Sequence, residues 1–137
     1  MKRFAGISIA VLAALCLAVS AYAAEKTYTV SMSGKAETPK GDPNGKGTAK
    51  IKIEQSKGEV CFTLTWSGIG TPVAAHIHKG KKGVAGPVVI PLFAKAKHNG
   101  CVKASKSLLG KINKSPSSYY VNIHTQAFPG GAIRAQL

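Results

Sequence analysis

The sequence is poor in acid. Only 5 Asp+Glu stand against 19 Lys+Arg in 137 residues, a formal net charge of +14. Glu25, Glu37, Asp42, Glu54 and Glu59 are scattered over the start of the domain, a loop, a turn and the flanks of a hairpin. No two are spaced as the facing carboxylates that glycoside hydrolysis requires. No serine sits on a nucleophile elbow, and no phosphate-cradling glycine run opens a helix. Gly80, Gly83 and Gly86 follow a strand pattern into a loop and read as turn residues. No catalytic residue is therefore assigned, and the balance leans against an enzyme. Aromatics are sparse at 7%, yet hydrophobic residues make up 45%, well above the composition of disordered chains. The positive charge rides on a folded protein. The length suits one domain and leaves no room for a separate cofactor domain.

Long apolar runs are missing except at the start. Lys2 and Arg3 precede a run from Ile7 to Val19, which closes on the small-x-small site Ala21-Tyr22-Ala23. This reads as a secretory signal peptide over residues 1–23, cleaved after Ala23. The run falls short of the ~20 residues of a membrane span. Cys16 is preceded by Leu15, not by the small residue that a lipidated cysteine needs. The expectation is a periplasmic or secreted domain over residues 24–137, with no transmembrane segment once the leader is gone. Cysteine is scarce there as well. Cys61 and Cys101 form an even pair, read as a disulfide in an exported chain. Such a bridge closes a loop of ~40 residues, worth roughly 4 kcal/mol in the chain-entropy model.

The rest of the chain alternates. Tyr28, Val30 and Met32 alternate with Thr and Ser; Ala49, Ile51 and Ile53 alternate with Lys50, Lys52 and Glu54. The same period of two runs through Val60–Trp66, Val73–His78, Tyr119–His124 and Ile133–Leu137. Pro87–Phe93 is a continuous apolar run and suits a strand buried on both faces. Asn44-Gly45, Lys57-Gly58 and Pro129-Gly130-Gly131 read as tight hairpin connections. Helical spacing occurs once, at Leu108, Leu109 and Ile112, with Ser105 as N-cap and Pro116 as terminator. The sum is an all-β fold, an antiparallel Greek-key sandwich or barrel of about 7–8 strands with one short helix.

Histidine is the one dense source of chemistry. His76 and His78 form a His-x-His pair on one strand, which period two puts on one face ~7 Å apart. His124 stands on a second strand, on the face opposite Tyr119, Val121 and Ile123. If the strands are neighbours, the three imidazoles converge on one patch outside the core, with Tyr120 and Asn122 beside them. Three imidazoles suit copper or zinc. The same residues equally suit a structural role, hydrogen-bonded to loops that they tie to the sheet. His98, in a Lys-His-Asn-Gly stretch, reads as a solvated turn residue.

Two segments carry a resemblance. Ala75-His76-Ile77-His78-Lys79-Gly80 with Gly83-Val84-Ala85-Gly86-Pro87-Val88-Val89 resembles the central motif of the chordin-type (CHRD) domain. Tyr119–Thr125 followed by Pro129–Leu137 resembles its C-terminal motif, with Ala135 where the family usually has Gly. Gly47-Thr48-Ala49 and the Glu59–Trp66 strand fit its N-terminal half, so the likeness runs from about Tyr28 to Leu137. It implies a stand-alone exported domain of the bacterial type, acting as a binding module with no catalysis. A second likeness is to copper–zinc superoxide dismutase, a Greek-key barrel. His76, His78 and His124 match three of its copper ligands in order and kind. The bridging histidine, the zinc loop and the zinc-ligating Asp have no counterpart here.

Arginine is nearly absent after residue 23, where Arg134 stands alone among many lysines. Recognition of phosphate and bases favours the Arg fork, so nucleic acid is not the expected partner. Lys46, Lys50, Lys52, Lys79, Lys81 and Lys82 instead make a diffuse positive field suited to anionic envelope glycans or lipids. The sequence thus supports a monomeric exported binding module, with a copper protein and a polyanion binder as its rivals.

Overall fold

Alternation becomes strands whose apolar residues turn mainly to a common interior. The computed structural model describes residues 25–137; the leader read over residues 1–23 and its cleavage after Ala23 lie outside them. The strands are β1 (Lys26–Ser33), β2 (Lys46–Glu54), β3 (Glu59–Ser67), β4 (Pro72–Lys79), β5 (Val88–Phe93), β6 (Asn99–Lys103), β7 (Tyr119–Thr125) and β8 (Ile133–Gln136). Among the described residues one α-helix, α1 (Lys106–Lys114), lies between β6 and β7. The strands form a single sheet in the order β5-β4-β7-β8-β1-β2-β3-β6. Every pairing is antiparallel. The sheet curls until its two edge strands, β5 and β6, approach each other, giving a nearly closed barrel. The connections β3–β4, β5–β6 and β6–β7 join strands that are not neighbours, as in Greek-key folds.

The interior is filled by Ile51, Ile53, Val60, Leu64, Ile77, Ile90, Val121, Ile123 and Ile133, all essentially inaccessible to solvent. β-Branched residues dominate, which suits a pleated, half-buried surface. Helix α1 adds Leu109 and Ile112 to this core. Its start is fixed by Ser105, whose hydroxyl accepts from the Leu108 amide at 3.2 Å, the N-cap expected from the sequence. Its last turn carries Lys111 and Lys114, favourable at the negative end of the helix dipole.

The Cys61–Cys101 disulfide is present, with its Cα atoms 4.0 Å apart. The two residues face each other across β3 and β6, so the bond staples the edge strand to its neighbour.

Several expectations need correction. Strand β6 has no counterpart in the alternation read from the sequence, because Val102 is its only aliphatic residue. Strand β5 is not buried on both faces. It lies at the sheet edge, with Val88 and Pro91 exposed while Ile90, Leu92 and Phe93 face the core. Val73 is also exposed, because an irregularity between Pro72 and Ala74 takes it out of the core-facing series. Asn44-Gly45 is no tight hairpin. It ends a long connection that leaves β1 at Gly34 and runs through a 3-10 turn over Gly34–Ala36. His98, though exposed, is not merely solvated. Its ring stacks on Trp66 at 4.0 Å between centroids, and its Nδ1 bonds the Leu64 carbonyl at 2.9 Å.

Candidate metal centre

Strand β7 is the centre of the site, and it is buried on both faces. Tyr119, Val121 and Ile123 point into the barrel; Tyr120, Asn122 and His124 therefore point outward. Register sets their neighbours. His78, Tyr120 and Gln136 form one cross-strand row on β4, β7 and β8, and His76, Asn122 and Arg134 form the next. His124 stands opposite Ala74, whose small side chain leaves the imidazole free to lean diagonally toward His76.

That lean brings His76 Nδ1 to 3.0 Å from His124 Nε2. With His78 the rings form one cluster, in which one ligand atom from each lies within 4.8 Å of the others. In a tetrahedral site with metal–nitrogen bonds of ~2.0–2.1 Å, neighbouring ligand atoms stand roughly 3.3 Å apart. The closest pair is already there, and a small ring movement brings in the third.

The proton positions are set by the backbone. His78 Nδ1 lies 2.8 Å from the Gly86 carbonyl, and His124 Nδ1 lies 2.9 Å from the Pro129 carbonyl. A carbonyl only accepts, so each Nδ1 carries the hydrogen, and each Nε2 turns a lone pair toward the cluster. An imidazole anchored through one nitrogen to a carbonyl, with the other nitrogen directed at a common point, is the arrangement of metal-ligating histidines. His78 Nε2 is buried without a partner. Such an orphan is rare and calls for a ligand. Burial, aided by the neighbouring His124 and His78, pushes the His76 pKa down to about 4. Burial, with His78, also lowers His124, against the opposing pull of the Pro129 carbonyl. Near neutral pH both rings are uncharged, and with His124 Nε2 accepting, His76 Nδ1 carries the hydrogen of the 3.0 Å contact between them.

Two loops cover this face. Arg134, 1% exposed, donates to the Val84 carbonyl at 2.8 Å and the Lys81 carbonyl at 2.9 Å. Gln136 Nε2 donates to the Gly80 carbonyl at 2.7 Å. The Tyr120 hydroxyl accepts from the Gly86 amide at 3.1 Å. These bonds strap the Gly80–Pro87 loop across the site and hold the Gly86 carbonyl over His78. A Cβ at Gly86 would collide with the Lys79 carbonyl, so only glycine permits this approach. The Tyr120 ring is sandwiched, stacked on His78 at 4.7 Å and covered by the Arg134 guanidinium at 3.3 Å.

Glu37 comes from the β1–β2 connection and is also buried. Its Oε2 accepts from the Thr38 amide at 3.3 Å, Asn122 stands beside it, and its Oε1 has no partner. Burial raises its pKa, partly offset by the Asn122 and Thr38 bonds and by the charge of Arg134. A Cβ on Gly131, at φ +131°, would strike the Glu37 carboxylate, which explains the glycine there.

All the residues singled out from the sequence thus meet: His76, His78, His124, Tyr120 and Asn122. Glu37, Gly86, Arg134 and Gln136 were not foreseen as part of the site. Period two places Arg134 and Gln136 on the same face as Asn122 and His124, which was the available signal. The concavity lined by Gly70, Thr71, Val73, Thr125, Gln126 and Ala127 contains none of the histidines.

A family model described as CHRD domain matches residues 28–137. No curated protein and no solved structure matches the chain.

Proposed function

Because the chain belongs to the CHRD-domain family over residues 28–137, we propose that it is an extracytoplasmic, non-catalytic binding module that holds a copper ion on His76, His78 and His124. One observation carries this reading. One ligand atom from each of the three imidazoles lies within 4.8 Å of the others. Neutral imidazoles suit copper and zinc, and the order of divalent affinities favours copper. The disulfide supports an oxidising location. Among the described residues, no helix is long and apolar enough to cross a membrane.

Copper titration of the purified protein tests the reading. One equivalent is expected to bind tightly, and His76→Ala or His124→Ala to abolish it. Stoichiometric binding that survives both substitutions, or no binding by the wild type, removes the copper reading.

A second reading rests on the exposed lysines. Lys46 and Lys50 lie on the outer side of β2, and Lys79, Lys81 and Lys82 lie on and beside the loop over the histidines. A polyanion binder working through them would be retained on a sulfated-glycan column, with steep salt dependence and indifference to His76→Ala. Retention that ignores salt would count against it.

A further inference from the structure

A second cluster of metal-ligating groups surrounds the disulfide. Glu59 and Cys61 stand two residues apart on β3, so their side chains leave the same face. Register places Cys101 opposite Cys61 and Lys103 opposite Glu59 on β6, and Glu54 opposite Glu59 on β2. Glu54 Oε2 lies 3.7 Å and Glu59 Oε1 lies 3.9 Å from Cys61 Sγ. A disulfide sulfur has no hydrogen to donate, so neither contact is a hydrogen bond while the bridge is closed. Both carboxylates are held from behind. Lys103 Nζ pairs with Glu59 Oε2 at 2.9 Å. Lys57 and Lys52 pair with Glu54 Oε1 at 2.7 Å and 3.3 Å. In each carboxylate, lysine anchors the far oxygen and the near oxygen is turned to the sulfur. Ligating carboxylates are oriented in this way, by hydrogen bonds from a surrounding shell.

We propose that, once a dithiol reductant opens the bridge, Cys61, Cys101 and Glu59 bind a zinc ion. One ligand atom from each already lies within 4.8 Å of the others. In a tetrahedral zinc site a sulfur and an oxygen ligand stand roughly 3.6 Å apart, and two sulfurs roughly 3.8 Å. The Cys61–Glu59 pair is close to that separation. The freed sulfurs reach theirs by rotation about their Cα–Cβ bonds. In the reduction, the two thiols of the reductant become a disulfide, and Cys61 and Cys101 each gain a hydrogen. Zinc displaces those hydrogens as two protons and forms two Zn–S bonds and one Zn–O bond. Thiolates select zinc over magnesium and calcium. Two thiolates and a carboxylate outweigh the charge of the zinc, and Lys103 and Lys52 stand beside them to offset the excess. The metal thus replaces one staple between β3 and β6 by another. The site shares no residue with the histidine cluster and does not depend on the copper reading.

Cobalt(II), which takes the place of zinc and absorbs light, is the probe. Wild-type protein is reduced with dithiothreitol and freed of it by gel filtration under argon. One equivalent of cobalt is expected to give a thiolate-to-cobalt charge-transfer band, which zinc then bleaches. The histidine cluster has no sulfur and cannot produce that band. No band in the reduced wild type overturns the proposal. The band is expected to persist in reduced His76→Ala, so a failure of the copper reading leaves it in place. Glu59→Gln is expected to weaken cobalt binding at least ~10-fold. Binding equal to wild type would mean that the thiolates alone hold the metal, and overturns the three-ligand site. Zinc is also expected to raise the Tm of reduced His76→Ala, since it binds the folded form. A band with no rise in Tm marks thiolates of an unfolded chain, and overturns the proposal as well.

Discussion

Strands β2 and β7 are built from the same alternation, yet they end in different surroundings. On β2, Ala49, Ile51 and Ile53 face the core while Lys46, Thr48 and Lys50 face water. On β7, Tyr119, Val121 and Ile123 face the core, and the opposite side is just as dry. The difference lies in what covers each outer face. Among the described residues, none covers Lys46, Thr48 and Lys50 on the outer face of β2, whereas the Gly80–Pro87 strap and the loop carrying Glu37 close over β7 and its neighbours. A polar group in water needs no particular partner; one taken out of water must find one. The outer face of β7 is therefore a network in which nearly every atom is spoken for. The exceptions, His78 Nε2 and Glu37 Oε1, become informative.

The contrast can be broken most directly at Arg134. Arg134→Ala leaves the Val84 and Lys81 carbonyls unpaired and uncovers Tyr120. Urea denaturation is expected to show a loss of roughly 3 kcal/mol or more. A loss under about 1 kcal/mol would mean that the covered face is not a cooperative unit. Replacing Cys61 and Cys101 by serine is expected to lower stability by about 2–4 kcal/mol. It should leave copper affinity unchanged, because the bond joins β3 to β6, away from the histidines. Copper at a hundred times its Kd is expected to stabilise the wild type by about 2.7 kcal/mol, read as a higher Tm. His76→Ala should erase that gain.

The next effect is smaller and depends on pH. His76 is held at about 4 in the folded protein against an ordinary 6.5, so between these values the unfolded chain binds more protons. Stability of the metal-free protein is full above pH 6.5 and declines as pH falls toward 4. Glu37, raised above 4.5, acts with the opposite sign: its contribution is lost as pH rises through its folded pKa. Urea midpoints measured across this range should fall with acid in the wild type and flatten in His76→Ala. A slope of the same size in that variant would exclude His76 as its source. The smallest effect is expected on the wet half, where Lys50→Ala should change stability by no more than about 0.5 kcal/mol.

Much of this contrast is legible in the sequence, and its gaps have physical causes. Period two identified six of the strands, a continuous apolar run marked a seventh, and the alternation put His76, His78 and His124 on the side away from the aliphatic residues. It could not find β6, where Asn99-Gly100-Cys101-Val102-Lys103 has one aliphatic residue and owes its strand conformation to pairing with β3. Nor could period two tell a wet outer face from a covered one. Arg134 alternates with Ile133 and Ala135 as a surface residue would, yet it is among the most buried side chains. Glu37 sits in a stretch rich in Gly, Pro and Lys, which reads as solvent-exposed loop. Its burial depends on Asn122 and Gly131, contacts made across nearly the whole length of the domain.

The staple between β3 and β6 also bears on how the protein can be produced. β6 is a five-residue edge strand with little apolar surface to hold it. In a reducing medium its attachment weakens, and the edge of β3 is left with unpaired amides and carbonyls, a template for another chain. Material made under reducing conditions should therefore form intermolecular sheets before it loses its core, while oxidised material stays soluble.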